Sequence, residues 1–151
     1  MGEASRRLHL LPGVYSVCWL HKDASVPQWG TRGCFYSITR TAQGLTVVCL
    51  DDHVPAEVTQ ERGWKLLMVE GPLAFSLTGI IASLTGPLSR SGISVFTLST
   101  YDTDYLLVKK EQLEDAVWVL VAQGYEIDER TGISCSEPVR SAGGASGARS
   151  Q

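Results

Sequence analysis

The sequence lacks the features that mark two large functional classes. Its 151 residues carry 13 Lys and Arg against 16 Asp and Glu, a formal net charge of -3. The basic surface that would neutralise many phosphates is therefore missing, and nucleic acid is not expected as a partner. No uninterrupted apolar run reaches the length of about 18 residues that a membrane-spanning helix needs, so no membrane partner is expected either. With 44% hydrophobic residues, the chain is predicted to be a folded protein of one ordinary or two very small domains.

Catalytic and metal-binding motifs are also missing. The sequence contains neither G-x-x-x-x-G-K-[ST] nor G-x-G-x-x-G, the loops that bind phosphates and dinucleotides, and it has no G-x-S-x-G nucleophile motif. The histidines His9, His21 and His53 have no partners at the spacing of metal ligands. We therefore expect no enzymatic activity, no metal and no cofactor.

Four cysteines are present, at positions 18, 34, 49 and 135, without C-x-x-C spacing. Three of them lie in apolar, strand-like runs, which predicts small buried thiols in a reducing, cytoplasmic compartment. Two disulfides remain possible, because the number of cysteines is even. An export signal is not expected, since the leucines after Arg6-Arg7 are interrupted by His9 and by Pro12-Gly13.

The C-terminal half alternates between strand and helix patterns. Residues 64–70 form a short apolar run that ends at Gly71-Pro72, which predicts a strand and a turn. Apolar residues at helical spacing from Leu77 to Leu88 predict an amphipathic helix with a kink or early stop at Pro87. The remaining predicted elements are hairpin strands over 93–100 and 105–108, a helix over 113–121 and an edge strand over 125–127. The predicted order is β-α-β-β-α-β.

The N-terminal half resembles a reduced copy of this unit. Strands are predicted over 13–20, 34–39 and 45–50, with a turn at Gln43-Gly44, whereas only 27–30 and 55–62 suit short helical segments. The strand over 64–70 is then shared or exchanged between the halves. The predicted fold class is α+β, with ferredoxin-like units (βαββαβ) whose helices lie on one face of antiparallel sheets.

Domain boundaries follow from the same patterns. The predicted N-terminal unit covers residues 8–63, with reduced helices, and the C-terminal unit covers residues 64–128. From residue 134 onward the chain consists largely of Ser, Gly, Ala and Arg, so residues 134–151 are expected to form a disordered tail.

Small and polar residues at the ends of these elements suggest a binding site for a zwitterion. Residues 71–79 join a strand to a helix, where free backbone N–H groups can hold a carboxylate. Asp104, from the neighbouring hairpin, can pair with an ammonium group. The alternative is that Ser76 or Thr78 is only a helix N-cap and that Asp104 is only a turn residue.

Several motifs resemble a known family. The run over 99–108, Ser-Thr-Tyr-Asp-Thr-Asp-Tyr-Leu-Leu-Val, is the most specific, and Gly71-Pro72-Leu73, Phe75 to Ile80 and Leu11 to Tyr15 accompany it. Together they are similar to the small tandem ACT-domain proteins of bacteria and to one half of the CASTOR-type arginine sensors. The resemblance covers roughly residues 8–128 and is densest from 64 to 110.

The resemblance implies two ACT-like units in tandem, a homodimer, and an allosteric, regulatory function in which an amino acid binds at an interface between units. This sequence departs from the family at two places. Ala74 stands at a position that is often acidic in the family, and Gln43-Gly44 replaces a pair that is often acidic. The ligand-binding positions carried over by motif are Ala74, Phe75, Thr78, Gly79, Ile80, Ser94, Val95, Thr100, Tyr101 and Asp104.

A different class of function remains open on the sequence alone. The chain could be a structural or protein-interaction module that keeps a vestigial pocket and recruits a partner through a sheet edge or a helix face. A nucleic-acid-binding domain on the same β-α-β-β-α-β plan is disfavoured by the net charge and by the absence of a basic aromatic motif on the hairpin strands.

Overall fold

The computed structural model describes residues 6–129, so the predicted tail at 134–151 and Cys135 lie outside the described residues. Within this range the chain forms one eight-stranded sheet with two α-helices. The strands are β1 (Arg7–Leu10), β2 (Tyr15–Leu20), β3 (Ser37–Thr41), β4 (Gly44–Leu50), β5 (Thr59–Val69), β6 (Val95–Ser99), β7 (Asp104–Lys109) and β8 (Glu126–Glu129), and the helices are α1 (Ile80–Arg90) and α2 (Leu113–Ala122).

The strand order is β3-β4-β2-β5-β1-β8. In addition, β7 pairs with β5, and β6 pairs with β7. The β-α-β-β-α-β order predicted for the C-terminal half corresponds to β5, α1, β6, β7, α2 and β8. The class is therefore α+β. The hairpin strands and α2 begin and end within a few residues of the predicted bounds, because their periodicity and turn residues are local signals.

The 11-residue strand β5 belongs to both halves of the chain. Its first residues pair with β2, with Thr59 opposite Trp19, and its last residues pair with β7 and β1, with Leu67 opposite both Leu106 and Leu10. The predicted sharing of this strand is therefore seen in the structure. The N-terminal and C-terminal halves are consequently joined through continuous backbone hydrogen bonding.

The strand β1 was not predicted from the sequence. It pairs antiparallel with β5 and parallel with β8, so the sheet is mixed, and the expectation of purely antiparallel sheets is wrong. Leu8 and Leu10 alternate with Arg7 and His9, which places both leucines in the core against the helices. An alternating pattern over only four residues is too short to predict a strand.

Both helices pack on one face of the sheet, as predicted. Burial of a leucine side chain contributes about 1.5–3 kcal/mol, so this layer is a major source of stability. The helix α1 continues through Pro87 to Arg90 instead of stopping early, since Pro87 and Leu88 are buried on the sheet. The buried residues shared by strands and helices are Leu8, Leu10, Leu67, Val69, Leu84, Leu88, Leu106, Val108, Ala116 and Leu120.

Two expectations for the N-terminal half are wrong. The segment 55–62 is not helical, because residues from Thr59 onward enter β5 and pair with β2. Cys34 precedes β3 and is exposed and disulfide-bonded rather than a buried thiol. Cys18 and Cys49 are free and buried, as predicted.

Candidate functional site

A concavity of about 360 Å³ lies where β5 leads into α1, beside the turn between β6 and β7. One wall is the segment that follows β5 together with the first turn of α1, and the other is the β6–β7 turn with the strand ends beside it. The volume is at the lower end of the range for small-molecule sites. The lining residues are Leu73, Ala74, Phe75, Leu77, Gly79, Ile80, Ile81, Ala82, Ser99, Thr100, Tyr101, Asp102, Thr103 and Asp104.

The first turn of α1 offers backbone N–H groups to this concavity. The N-cap residue is Gly79, whose φ of 78° is one that glycine adopts without strain, and no side chain caps the helix. Neither Ser76 nor Thr78 is therefore an N-cap. The alternative that one of these residues serves only to cap the helix is wrong. The first turn carries no acidic residue, and the helix dipole adds positive potential at this end. The arrangement suits a carboxylate or another small anion.

Carboxylates lie on the opposite wall. Asp104 is the first residue of β7 and not a turn residue, and it accepts a hydrogen bond of 2.7 Å from the hydroxyl of Ser99 to its Oδ1. Asp102 is exposed at the tip of the turn. Lys, Arg and His are absent from the residues that line this concavity in the described part of the chain. A cationic group is consequently the natural partner of this wall, since nothing else there compensates the negative charge.

Two aromatic rings form the rim. Phe75 is 78% exposed and Tyr101 is 80% exposed, yet their ring centroids lie 5.0 Å apart at an interplanar angle of 78°. An edge-to-face pair of this kind is favourable but does not remove the rings from water. Large exposed aromatic side chains next to a concavity are typical of binding surfaces rather than of a folded core.

Tyr105 lies next to Asp104 in sequence and faces the other side of the sheet. Burial raises its pKa, and the negative charge of Asp102 raises it further. The phenol is neutral near pH 7 even at its ordinary pKa, so it adds no charge behind the acidic wall.

The structure brings seven of the ten predicted ligand-binding residues to this concavity. They are Ala74, Phe75, Gly79, Ile80, Thr100, Tyr101 and Asp104. Thr78 is exposed in the same segment but does not line the concavity. Ser94 and Val95 lie at the other end of β6, since Val95 pairs with Val108 whereas Ser99 pairs with Asp104. At about 3.4 Å per residue this separates Val95 from Ser99 by about 14 Å.

Several lining residues were not selected from the sequence. Ser99, Asp102 and Thr103 belong to the same Ser-Thr-Tyr-Asp-Thr-Asp run as the selected residues, so the run itself was the available signal. Ile81 and Ala82 follow Ile80 in the first helical turn, and no chemistry of their side chains marks them. Their backbone position, rather than their type, brings them to the site.

Residues 6–129 contain neither a cluster of metal ligands nor a membrane-spanning helix. No group of three or more His, Cys, Asp or Glu side chains in this range is placed to hold a metal ion. No helix in the same range is long and apolar enough to span a bilayer.

Comparison with known proteins finds matches to two family models. A family model for the ACT domain matches residues 59–122, and a second model, described as an N-terminal domain, matches residues 13–57. The chain is 32% identical over 120 residues to the human cytosolic arginine sensor for mTORC1 subunit 1, covering 72% of this chain and 35% of the sensor. It is 34% identical over 96 residues to a human protein named CASTOR3P, covering 55% of this chain and 59% of that protein.

A crystal structure of an Agrobacterium tumefaciens protein is similar over most of both chains. The TM-score is 0.79 and the sequence identity 38%, covering 83% of this chain and 94% of the other. The chain spans about a third of the length of the arginine sensors that it matches. ACT domains and the sensors are regulatory rather than catalytic, which agrees with the predicted absence of enzymatic activity. Residues 59–122 therefore match the ACT-domain family model, and the chain is similar to the CASTOR-type arginine sensors.

Proposed function

We propose that the protein is a non-catalytic, regulatory binding protein for an amino acid. The observation that carries the proposal is the concavity between α1 and the β6–β7 turn, which presents uncapped helix N–H groups on one wall and Asp104 on the other. These are complementary to the carboxylate and the cationic groups of a zwitterion. Binding would shift the protein between arrangements of its units, because a ligand favours the arrangement for which it has the higher affinity.

The relatives support the choice of the first ligand to test. The human relative is named as a cytosolic arginine sensor, and the wall formed by Asp102 and Asp104 is acidic and lacks basic residues in the described lining. L-Arginine carries one carboxylate and two cationic groups, so it matches both walls. A cytoplasmic location is part of the same proposal, and it rests on the name of the human relative, because the disulfide at Cys34 does not support the reducing compartment predicted from the cysteines.

The chain is further proposed to form two ACT-like units, over 8–63 and 64–128, and to associate as a homodimer. The position of Ser94 and Val95 supports this. Along β6 these two residues lie about 14 Å or more from Ser99, and neither of them lines the concavity of their own chain, so we infer that they contact a ligand in the concavity of a second copy. β6 pairs with β7 alone among the described strands, which leaves its outer edge available for such an approach.

Calorimetric titration with each of the twenty amino acids tests the binding proposal. Saturable binding of L-arginine or of another single amino acid is expected, together with a mass in solution near twice 16.4 kDa. Absence of binding to all twenty would contradict the proposal and favour the alternative, an interaction module with a vestigial pocket.

A complementation experiment tests whether two copies share the site. As pure proteins, Ser94→Arg and Asp104→Asn should each lose wild-type affinity, Asp104→Asn by about 10- to 150-fold. A mixed dimer of the two variants contains one site with an unaltered Ser94 and an unaltered Asp104, so binding should return at about half of the sites. If each site lies within one chain, mixing restores nothing.

A further inference from the structure

Thr103, which the sequence analysis did not select, connects the two walls of the concavity. It lies at the base of the β6–β7 turn and is only 6% exposed. Its hydroxyl donates a hydrogen bond of 2.6 Å to the carbonyl oxygen of Val69, the last residue of β5. The turn is thereby attached to the strand end from which the opposite wall begins.

Two backbone contacts lie beside this hydrogen bond. The N–H of Leu73 donates to the carbonyl oxygen of Asp102 at 2.7 Å. A Cβ on Gly71 would lie 3.0 Å from the Cβ of Thr103 and 3.1 Å from the carbonyl oxygen of Asp102. Position 71 therefore favours glycine, because a side chain there would require Thr103 or the carbonyl group of Asp102 to move by a few tenths of an ångström.

The turn itself is closed by a second threonine. The N–H of Thr100 donates to the carbonyl oxygen of Thr103 at 2.9 Å, and the N–H of Thr103 donates to the hydroxyl of Thr100 at 3.3 Å. These bonds hold Tyr101 and Asp102 at the tip. Tyr101, whose ring contacts Phe75, therefore lies in a turn whose base is attached to β5 through Thr103.

We propose that Thr103 is a positioning residue for the ligand site. Its hydroxyl proton is already donated to Val69, so it acts through the groups that it places: Asp104, which follows it, and Tyr101 in the turn. The contact holds the acidic wall at a fixed distance from the first turn of α1, and this preorganisation raises affinity by reducing the cost of ordering two loops on binding. The effect on ligand affinity rests on the proposed function, whereas the effect on loop order does not.

The experiment compares Thr103→Val, which removes the hydroxyl at similar volume, with Thr103→Ser, which keeps it. Thr39→Val is the matched control, since Thr39 is exposed in β3. Two quantities are measured for each protein: the dissociation constant of L-arginine by calorimetry, and amide hydrogen exchange in residues 71–79. Thermal unfolding confirms that each variant is folded at the temperature of the titration.

Thr103→Val should weaken L-arginine binding by about tenfold and accelerate exchange in residues 71–79, while Thr103→Ser and Thr39→Val should resemble the wild type. Wild-type affinity in folded Thr103→Val would overturn the positioning role. Equal loss in Thr103→Ser and Thr103→Val would also overturn it, because the hydroxyl would then be irrelevant.

The two proposals fail separately. If the wild type binds no amino acid, the proposed function is wrong, and the exchange measurement alone decides whether Thr103 orders residues 71–79. If Thr103→Val does not fold, Gly71→Ala tests the same contact from the other wall. The added methyl group should weaken binding and accelerate exchange in a folded protein, and unchanged values would overturn the proposal.

Discussion

The hydroxyl of Ser99 donates a hydrogen bond of 2.7 Å to the carboxylate of Asp104, directly across the first pair of the β6–β7 hairpin. This bond orients the carboxylate at the edge of the concavity. Asp104 is therefore held by its own hairpin before any ligand is present, which reduces the ordering cost of binding.

Asp104→Asn should weaken amino-acid binding by about 10- to 150-fold, because a hydrogen bond to a charged group is worth about 1.5–3 kcal/mol. Ser99→Ala should weaken it by only about 2- to 10-fold, because Ser99 acts indirectly by orienting the carboxylate, and Asp104 keeps its charge in this variant. Calorimetric titration measures both. Asp115→Asn is the control, because the side chain of Asp115 is exposed on α2. This variant should bind the ligand with wild-type affinity. An Asp104→Asn protein with unchanged affinity would exclude an ion pair at this position.

Phe75→Ala and Tyr101→Ala should lower ligand affinity without lowering stability. Both rings are more than three-quarters exposed, so their removal should change the free energy of unfolding by no more than about 0.5 kcal/mol. Urea unfolding and ligand titration separate the two quantities. Trp118→Ala provides the comparison, because Trp118 is 76% exposed on α2 and does not line the concavity. Equal affinities for all three variants would show that the rim does not contact the ligand.

Leu67→Ala should destabilise the whole described fold by about 2–5 kcal/mol. Leu67 is fully buried in β5, the strand that pairs with elements of both halves. Unfolding followed by far-ultraviolet circular dichroism and by tryptophan fluorescence should therefore give one coincident transition. Val121→Ala, at an exposed position of α2, should change little. Two separated transitions in the wild type would contradict the coupling of the halves through β5.

Stability should fall as the pH rises from about 10 to 12. Burial raises the pKa of Tyr15 to about 12, with smaller contributions from Cys49 and Tyr105. Between the unfolded value near 10 and this folded value, the unfolded chain loses a proton that the folded chain retains, so alkali favours unfolding. Urea unfolding at a series of pH values measures the slope. Tyr15→Phe should make this slope shallower; an unchanged slope would show that another group is responsible.

Much of the C-terminal half was predictable because its signals are local. Gly71-Pro72 ends a strand, Gly124 follows a helix, and the helical spacing of Leu113 to Val121 matches the observed α2. The two walls of the candidate site were predictable, because the loop after β5 and the hairpin that carries Asp104 are adjacent in a β-α-β-β unit. Thr103 was not found, since its contribution is a hydrogen bond to Val69, 34 residues away.

The amino-acid pattern alone predicted an α+β chain, the order of its C-terminal elements and the acidic hairpin beside the candidate site, because side-chain periodicity and turn chemistry act over a few residues. Folding in three dimensions settled the insertion of β1 between β5 and β8, the division of β5 between two partners, and the distance of Ser94 from the concavity. Each of these depends on which distant strands pair, and that choice is made by the total burial and backbone hydrogen bonding of the sheet, which no short segment encodes.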